Sequence, residues 1–379
     1  MAYNIPLFNL NFDEEEKNNV IKTLDSKWIS SGPQCAELEK RFAEMLDVKY
    51  ALAVTNCTAA LHLSMICNEI GPGDEVILPS MTFVATANAV RYVGATPVFC
   101  DIKGYDEIVI DDNKIESLIT KKTKAIVPMH YGGFPCNMDV IMNLAKKYNL
   151  KVIEDACHGP LSRYHGRCLG TIGDTGCFSF FSNKNLSTGE GGMLVTNNEE
   201  IYNRAKILRS HGMTTMTYER SKGHNSGYDV LDLGYNYRLD DIRASIGLAQ
   251  LDKLKCDIDK RIEVRKLYLD ELLGEDDIIL PFADYKEYSS SYIFPIVLKC
   301  GSREKRESFR SYLSENGIQT SVHYPCIHRF KIYADFATDD LKNTEYIADN
   351  EVTLPMYGAL KKEEVVYICD TVKKGIGKL

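Results

Sequence analysis

From Tyr50 to Asn197 the chain alternates short apolar runs rich in Val and Ile with segments whose apolar residues recur every three or four positions. The runs suit strands buried on both faces, and the periodic segments suit helices with one buried stripe. Their alternation predicts strands joined by crossover helices into a mainly parallel, seven-stranded sheet, an α/β class. Strands are expected over residues 50–54, 75–78, 96–100, 125–129, 151–154, 177–181 and 193–196. Helices are expected near 58–69, 82–93, 111–119 and 138–148, with Gly71, Gly73, Gly94 and Pro97 as breaks. Ahead of this region, 13–26 and 33–46 also carry helical spacing.

After Leu239 one helical pattern continues to about Leu273, the length of a connector between two units. Beyond it, residues 292–298, 303–316, 319–324 and 362–374 suggest a smaller α/β unit. The expected division is a large domain over 1–250, with its N-terminal helical segment, and a small C-terminal domain over 251–379.

Composition narrows the function. A chain of 379 residues with 44% hydrophobic and 26% charged residues folds around sizeable cores. Its net charge of −8 provides no broad cationic face, so neither nucleic acid nor an anionic membrane is an expected partner. The twelve cysteines are scattered with no C-x-x-C pair, which suggests reduced thiols in the cytoplasm. The first ten residues lack a basic stretch leading into an apolar one, and no apolar run reaches the roughly 18 residues of a membrane span, so neither export nor insertion is expected.

Three stretches carry candidate chemistry. Lys151-Val-Ile-Glu-Asp155-Ala-Cys-His158 is an apolar strand ending in a carboxylate and an imidazole, at the end where open α/β sheets place ligands. Phe178-Ser179-Phe-Phe-Ser-Asn-Lys184-Asn-Leu-Ser-Thr-Gly-Glu-Gly-Gly is a second strand, finishing in a hydroxyl, a lysine and a glycine-rich turn. Thr55-Asn-Cys57-Thr58-Ala-Ala-Leu-His is a strand end running into a helix start, where free amides and the positive helix end suit a phosphate, although Thr58 equally suits a helix cap.

Taken singly, the lysine reads as solvated and the aspartate as a cap or ion-pair partner. Together the three stretches supply what pyridoxal phosphate requires. Lys184 can form a Schiff base with its aldehyde, and partial burial is expected to depress the amine's pKa. Asp155 can face the pyridine nitrogen and keep it protonated, so that the ring withdraws electrons. Ser179 can add a phosphate hydrogen bond, and Phe83 can stack on the ring. No metal site is expected, because Cys157, His158 and Cys168 do not converge easily on one tetrahedral ion. Gly189-Glu-Gly-Gly precedes a strand and is therefore no dinucleotide fingerprint.

The pieces Thr55-Asn-Cys-Thr-Ala-Ala-Leu-His, Ser80-Met-Thr-Phe-Val-Ala-Thr-Ala-Asn, Glu154-Asp-Ala-Cys-His, Ser179-Phe-Phe-Ser-Asn-Lys, Gly234-Tyr-Asn-Tyr-Arg and His323-Tyr-Pro occur in an order and spacing that resemble the DegT/DnrJ/StrS family of sugar aminotransferases over nearly the whole chain. The resemblance implies a fold-type I aminotransferase, a homodimer with shared active sites. It makes Lys184 the Schiff-base lysine, Asp155 the partner of the pyridine nitrogen and Phe83 the stacking ring. It sets His158 beside the ring hydroxyl and places Cys57, Thr58 and Ser179 at the phosphate. Cys57 stands where the family more often has glycine. Asn236 is similar to the residue that reaches the phosphate from the other subunit. His130, Tyr131, His323 and Tyr324 are implied near the substrate.

The resemblance further implies ping-pong transfer through pyridoxamine phosphate, from an amino acid such as glutamate to a keto-sugar, typically nucleotide-linked. A cyclitol or small carbohydrate-derived ketone is the alternative acceptor. Dehydratases of the family carry histidine where this chain has Lys184, and a non-catalytic regulator binding the cofactor would need neither Lys184 nor Asp155. Specificity is expected in the loops 214–228 and 329–340.

Overall fold

The computed structural model describes residues 3–214, 227–299, 301–337 and 340–379. Cys300 and parts of both loops expected to set specificity, 215–226 and 338–339, lie outside the described residues.

The first part of the chain forms helices α1 (Glu14–Asp25) and α2 (Pro33–Leu46), then β1 (Tyr50–Val54), α3 (Cys57–Cys67), β2 (Glu75–Pro79), α4 (Val84–Tyr92), β3 (Thr96–Cys100), α5 (Asp112–Leu118), β4 (Thr123–Ile126), α6 (Met138–Tyr148) and β5 (Lys151–Asp155). A small hairpin, β6 (Arg163–Tyr164) and β7 (Arg167–Cys168), leads to β8 (Thr175–Ser179), β9 (Gly192–Thr196) and α7 (Glu199–Leu208). Among the described residues these build a seven-stranded sheet in the order β1-β9-β8-β5-β4-β2-β3. Neighbours from β8 to β3 are parallel, and β9 runs against both β8 and β1. The C-terminal ends of β1, β2, β5 and β8 therefore share one edge with the beginning of β9. In a sheet of this kind that edge holds ligands.

The strands form because they are apolar on both faces. Leu52, Val54, Ile77, Ile126 and Val152 join the cluster under α3 to α6, while Ala53, Met193 and Val195 join a cluster with α2. The expected strand at 177–181 begins and ends two residues earlier, at Thr175–Ser179. Pairing of Ile153 with Thr175 sets this register.

Helix α8 (Asp241–Leu272) is unbroken through residue 250. Its first half packs Leu248, Leu251 and Leu254 with α2, and its second half packs Val264, Tyr268 and Leu272 into a third cluster. That cluster belongs to a smaller antiparallel sheet, β10 (Ile278–Ile279), β11 (Phe294–Leu298) and β12 (Glu351–Leu354), with helices α9 (Arg303–Glu315), α10 (Lys342–Asn350) and α11 (Lys362–Ile376) around it. Ile5 also sits there, its amide donating to Gly317 and its carbonyl accepting from Gln319, both at 3.0 Å. The first residues of the chain thus pack with its last third. Residues 319–324 form no strand of the smaller unit's sheet; their backbone pairs with β12 at one bridge, Ser321 with Thr353, and His323 adds side-chain and amide bonds to the same strand.

Among the described residues no helix is long and apolar enough to cross a membrane.

Candidate active site

Gly192, the first residue of the reversed strand, pairs with Val54 on one side and Ser179 on the other. A Cβ at Gly192 would lie 2.6 Å from the carbonyl carbon of Asn56 and 2.7 Å from the amide nitrogen of Cys57. The absence of a side chain therefore lets the start of α3 settle against the sheet edge. Asn56, not Thr58, caps that helix, its Oδ1 accepting from the Ala59 amide at 2.9 Å. Thr58 is left free for another role. Its side chain, Cys57 and Ser179 line a cavity of about 490 Å³. The first amides of a helix have no partner within it, so this wall offers N–H and O–H donors to an anion.

Asp155 closes β5 on the same cavity and is only 2% exposed. Its Oδ2 accepts from Thr86 at 2.7 Å and its Oδ1 from the Cys157 amide at 3.2 Å. Thr82 bonds Thr86 in turn at 3.0 Å.

Lys184 lies in the turn after β8, its amide bonded to the Phe181 carbonyl at 2.9 Å. Its Nζ sits 4.2 Å from the centre of the Tyr292 ring. The expected depression of its pKa is not found. Burial pushes the amine down, but its interaction with Tyr292 outweighs that effect, and the net direction is up. Burial, reinforced by the Asp155 carboxylate, holds both thiols protonated well above their usual range. Phe83, just before α4, lines the cavity at 54% exposure, an open ring face.

His158 is fully buried behind the cavity instead of on its wall. Its Nδ1 accepts from the Gly132 amide at 3.1 Å, so the proton sits on Nε2, which donates to the Tyr324 hydroxyl at 2.8 Å. The Tyr292 ring packs on it at 4.2 Å. Burial, then the Lys184 ammonium and His323, push His158 well below its usual pKa and keep it neutral. Tyr324 stands between His158 and the cavity. His323 and Tyr324 both line the cavity. Burial, with Lys184 second, lowers His323 to about 3.

Two expected substrate contacts lie elsewhere. His130 is wholly buried and its Nε2 bonds Glu154 at 3.0 Å, while its Nδ1 accepts from the Cys136 amide at 3.2 Å. Glu154 accepts as well from the amides of Gly170, Ile172 and Gly173 at 2.7–2.8 Å, so the pair fastens that turn to the sheet. Tyr131 is also wholly buried, and its hydroxyl donates to the carbonyl of His323. It supports the wall from behind. Asn236 is exposed and absent from the cavity of its own chain. Among the described residues no group of His, Cys, Asp and Glu could hold a metal ion.

Tyr292, Thr86, Asn183 and Glu190 are neighbours of the site that local pattern did not announce. Thr86 falls within the quoted 80–88 stretch. Tyr292 follows three serines and reaches Lys184 only because the smaller unit folds over the sheet edge.

The family model for the DegT/DnrJ/EryC1/StrS aminotransferase family matches residues 11–373. The GDP-perosamine synthase of Escherichia coli O157:H7 is 37% identical over 373 residues, 98% of each chain. The structure of Helicobacter pylori PseC, an aminotransferase of pseudoaminic acid biosynthesis, superposes with a TM-score of 0.93 at 30% identity over 100% of both chains. Spr1654 of Streptococcus pneumoniae, a putative sugar aminotransferase in its PMP form, does so with a TM-score of 0.92 at 32% identity, over 99% of this chain and 100% of that one. The cavity fits pyridoxal phosphate, with donors for a phosphate at one end, a carboxylate for a ring nitrogen and an amine for an aldehyde. By the reach of the family match and the likeness of these relatives, the chain belongs to the DegT/DnrJ/EryC1/StrS aminotransferase family.

Proposed function

We propose that the protein moves an amino group from glutamate to the keto group of a nucleotide-linked sugar, as a homodimer in which each cavity receives Asn236 of the partner subunit. One observation carries the reading: Lys184, Asp155 and the start of α3 line a single cavity. The GDP-perosamine synthase likeness supports a nucleotide-linked acceptor. An exposed Asn236 outside its own cavity supports the exchange between subunits. Residues 1–250 carry the groups that hold the cofactor, and 251–379 lay Tyr292, His323 and Tyr324 over them. The eleven cysteines among the described residues are all unbridged, in keeping with a cytoplasmic enzyme.

Pyridoxal phosphate, when bound, supplies the aldehyde that exchanges the amino group and the ring that withdraws electrons. Asp155, fixed by Thr86 and the Cys157 amide, presents its carboxylate to the ring nitrogen. Thr58, Ser179 and the α3 amides would hold its phosphate. Lys184 carries the moving proton at Nζ, over a Tyr292 ring that keeps water from that side. Phe83, which lines the same cavity, would stack on the cofactor's ring.

The test is a pair of half-reactions. Glutamate added to the holoenzyme should release 2-oxoglutarate, and a panel of GDP-, UDP- and dTDP-linked keto-deoxyhexoses should then yield one aminated sugar by mass spectrometry. Lys184→Ala should abolish both. Release of 2-oxoglutarate followed by amination of a cyclitol or simple ketone alone would overturn the nucleotide-sugar assignment.

A further inference from the structure

His323 lines the cavity through a ring whose other edge is tied into the small sheet. Its Nδ1 lies 2.8 Å from the Thr353 hydroxyl, and its amide donates to Glu351 Oε2 at 2.8 Å. The Thr353 hydroxyl is bonded on its other side to Glu351 Oε1. All three side chains are buried: Glu351 at 0%, Thr353 at 1% and His323 at 7% exposure. The arrangement is a closed loop, carboxyl to hydroxyl to imidazole.

A hydroxyl has one proton to give, so the loop has two states. With Glu351 ionised, Thr353 must donate to Oε1 and accept from His323, which places the imidazole proton on Nδ1 and leaves Nε2 a bare acceptor. With Glu351 protonated, its proton sits on Oε1, because Oε2 is taken by the His323 amide. Oε1–H then donates to Thr353, Thr353 donates to Nδ1, and Nε2 carries N–H. No net charge appears on the ring in either state.

We propose that Glu351 and Thr353 form a relay that selects which ring nitrogen of His323 bears the proton, and so decides whether His323, as a positioning residue, donates or accepts a hydrogen bond at the acceptor sugar. This rests on the sugar-aminotransferase reading for the identity of the ligand, but the relay itself is a property of the free protein.

The charged and titratable surroundings fix the direction. Arg306 and Arg310 of α9 pull Glu351 down, as do the bonds from Thr353 and the His323 amide, but burial outweighs them and raises Glu351 to about 8. Tyr131, the other titratable group facing it, stays protonated well above its usual range. Burial, then the Lys184 ammonium, holds His323 itself at about 3. At neutral pH the relay therefore stands with Nε2–H toward the cavity. A carbonyl oxygen only accepts hydrogen bonds, so this state suits a keto sugar. As pH rises through about 8 the donor becomes an acceptor.

The experiment is nitrogen-15 NMR of histidine-labelled protein between pH 6 and 9.5, with His323→Gln used to assign the resonances. The expected result is a protonated Nε2 at low pH changing to a protonated Nδ1 at high pH. Glu351→Gln, whose amide donates to Thr353 while its carbonyl accepts from the His323 amide, should lock the Nε2–H form at every pH. Thr353→Val should abolish the pH-linked exchange while His323 remains neutral. A single tautomer across the range in the parent protein, or an exchange that survives in Thr353→Val, would overturn the relay. If the relay holds, the KM for the keto-sugar aminated in the half-reaction assay should rise severalfold above pH 8 in the parent and stay flat in Glu351→Gln. A flat KM in both, with the tautomer exchange intact, would remove the positioning role. Failure of every keto-sugar in that assay would instead count against the sugar reading and leave the NMR result standing.

Discussion

Thr86 Oγ1 donates a 2.7 Å hydrogen bond to Oδ2 of Asp155, tying the first turn of α4 to the end of β5. A carboxylate proposed to face a ring nitrogen needs its rotation fixed, and Thr86 provides the fixing bond inside a buried site. Thr86→Val keeps the shape and removes the donor. Hydrogen bonds to charged groups are worth about 1.5–3 kcal/mol, which corresponds to roughly 10- to 150-fold weaker pyridoxal phosphate binding by absorbance titration. Thr86→Ser should recover most of the loss. Unchanged affinity in Thr86→Val would show that Asp155 is oriented without it.

Gly192 is predicted to be as sensitive as any residue that touches the phosphate. An alanine Cβ there meets backbone atoms of Asn56 and Cys57, which cannot rotate away. Gly192→Ala should lower stability by about 1–3 kcal/mol and displace the α3 amides. Binding of pyridoxal phosphate should weaken more than binding of pyridoxal, because only the former uses those amides. Gly71→Ala, with no atom within 4 Å of its Cβ, is the neutral control.

The shared-site reading predicts complementation. Lys184→Ala and Asn236→Ala should each be nearly inactive as pure dimers. Their hybrid should contain one cavity with both groups intact and regain activity on mixing and reassembly. No recovery relative to the parents would place Asn236 outside the partner's cavity.

Buried neutral histidines also make stability depend on pH. An unfolded His323 takes up a proton below pH 6.5, whereas the folded protein refuses it until about pH 3. The stabilising difference is therefore complete above 6.5 and is lost progressively as pH falls toward 3, at about 1.4 kcal/mol per pH unit for one proton. His158, also lowered, acts in the same direction. Glu351, raised to about 8, opposes one of these two histidines over the same range, so urea midpoints should drop between pH 7 and 5 by the equivalent of about one proton, and His323→Gln should remove most of that net slope. An unaltered slope would mean that His323 titrates normally when folded.

Local pattern was enough to find the sheet and the edge that carries the cavity, and it put Lys184 and Asp155 at that edge, because one follows an apolar strand and the other closes one. It was not enough to say which side chains at that edge point into the cavity. Successive residues at a strand end face opposite ways, so Asp155 enters the cavity while Glu154 turns away to the 170–173 amides. His130 follows Glu154 for the same reason. Tyr292, Glu351 and Thr353 reach the site across long sequence separations, through packing of the small sheet, and no short-range periodicity encodes such a contact.

Glu154 then offers the sharpest separation of support from chemistry. Its two oxygens, on a side chain with no exposed surface, accept from three amides and from the equally buried His130. Burial favours its neutral form, yet these donors outweigh burial and hold it below the usual carboxylate range. Glu154→Gln replaces one acceptor oxygen with an NH2 group that faces N–H donors. Breaking a buried charged network of this kind costs about 3–5 kcal/mol, enough to lower the unfolding midpoint clearly. His130→Gln should fall in the same direction by less, because the three amides remain bonded. Neither change touches the cavity, so the KM for glutamate should stay within about twofold in whatever fraction remains folded. A KM that rose severalfold in His130→Gln while the unfolding midpoint held would return His130 to the substrate, against the geometry that places it behind β5.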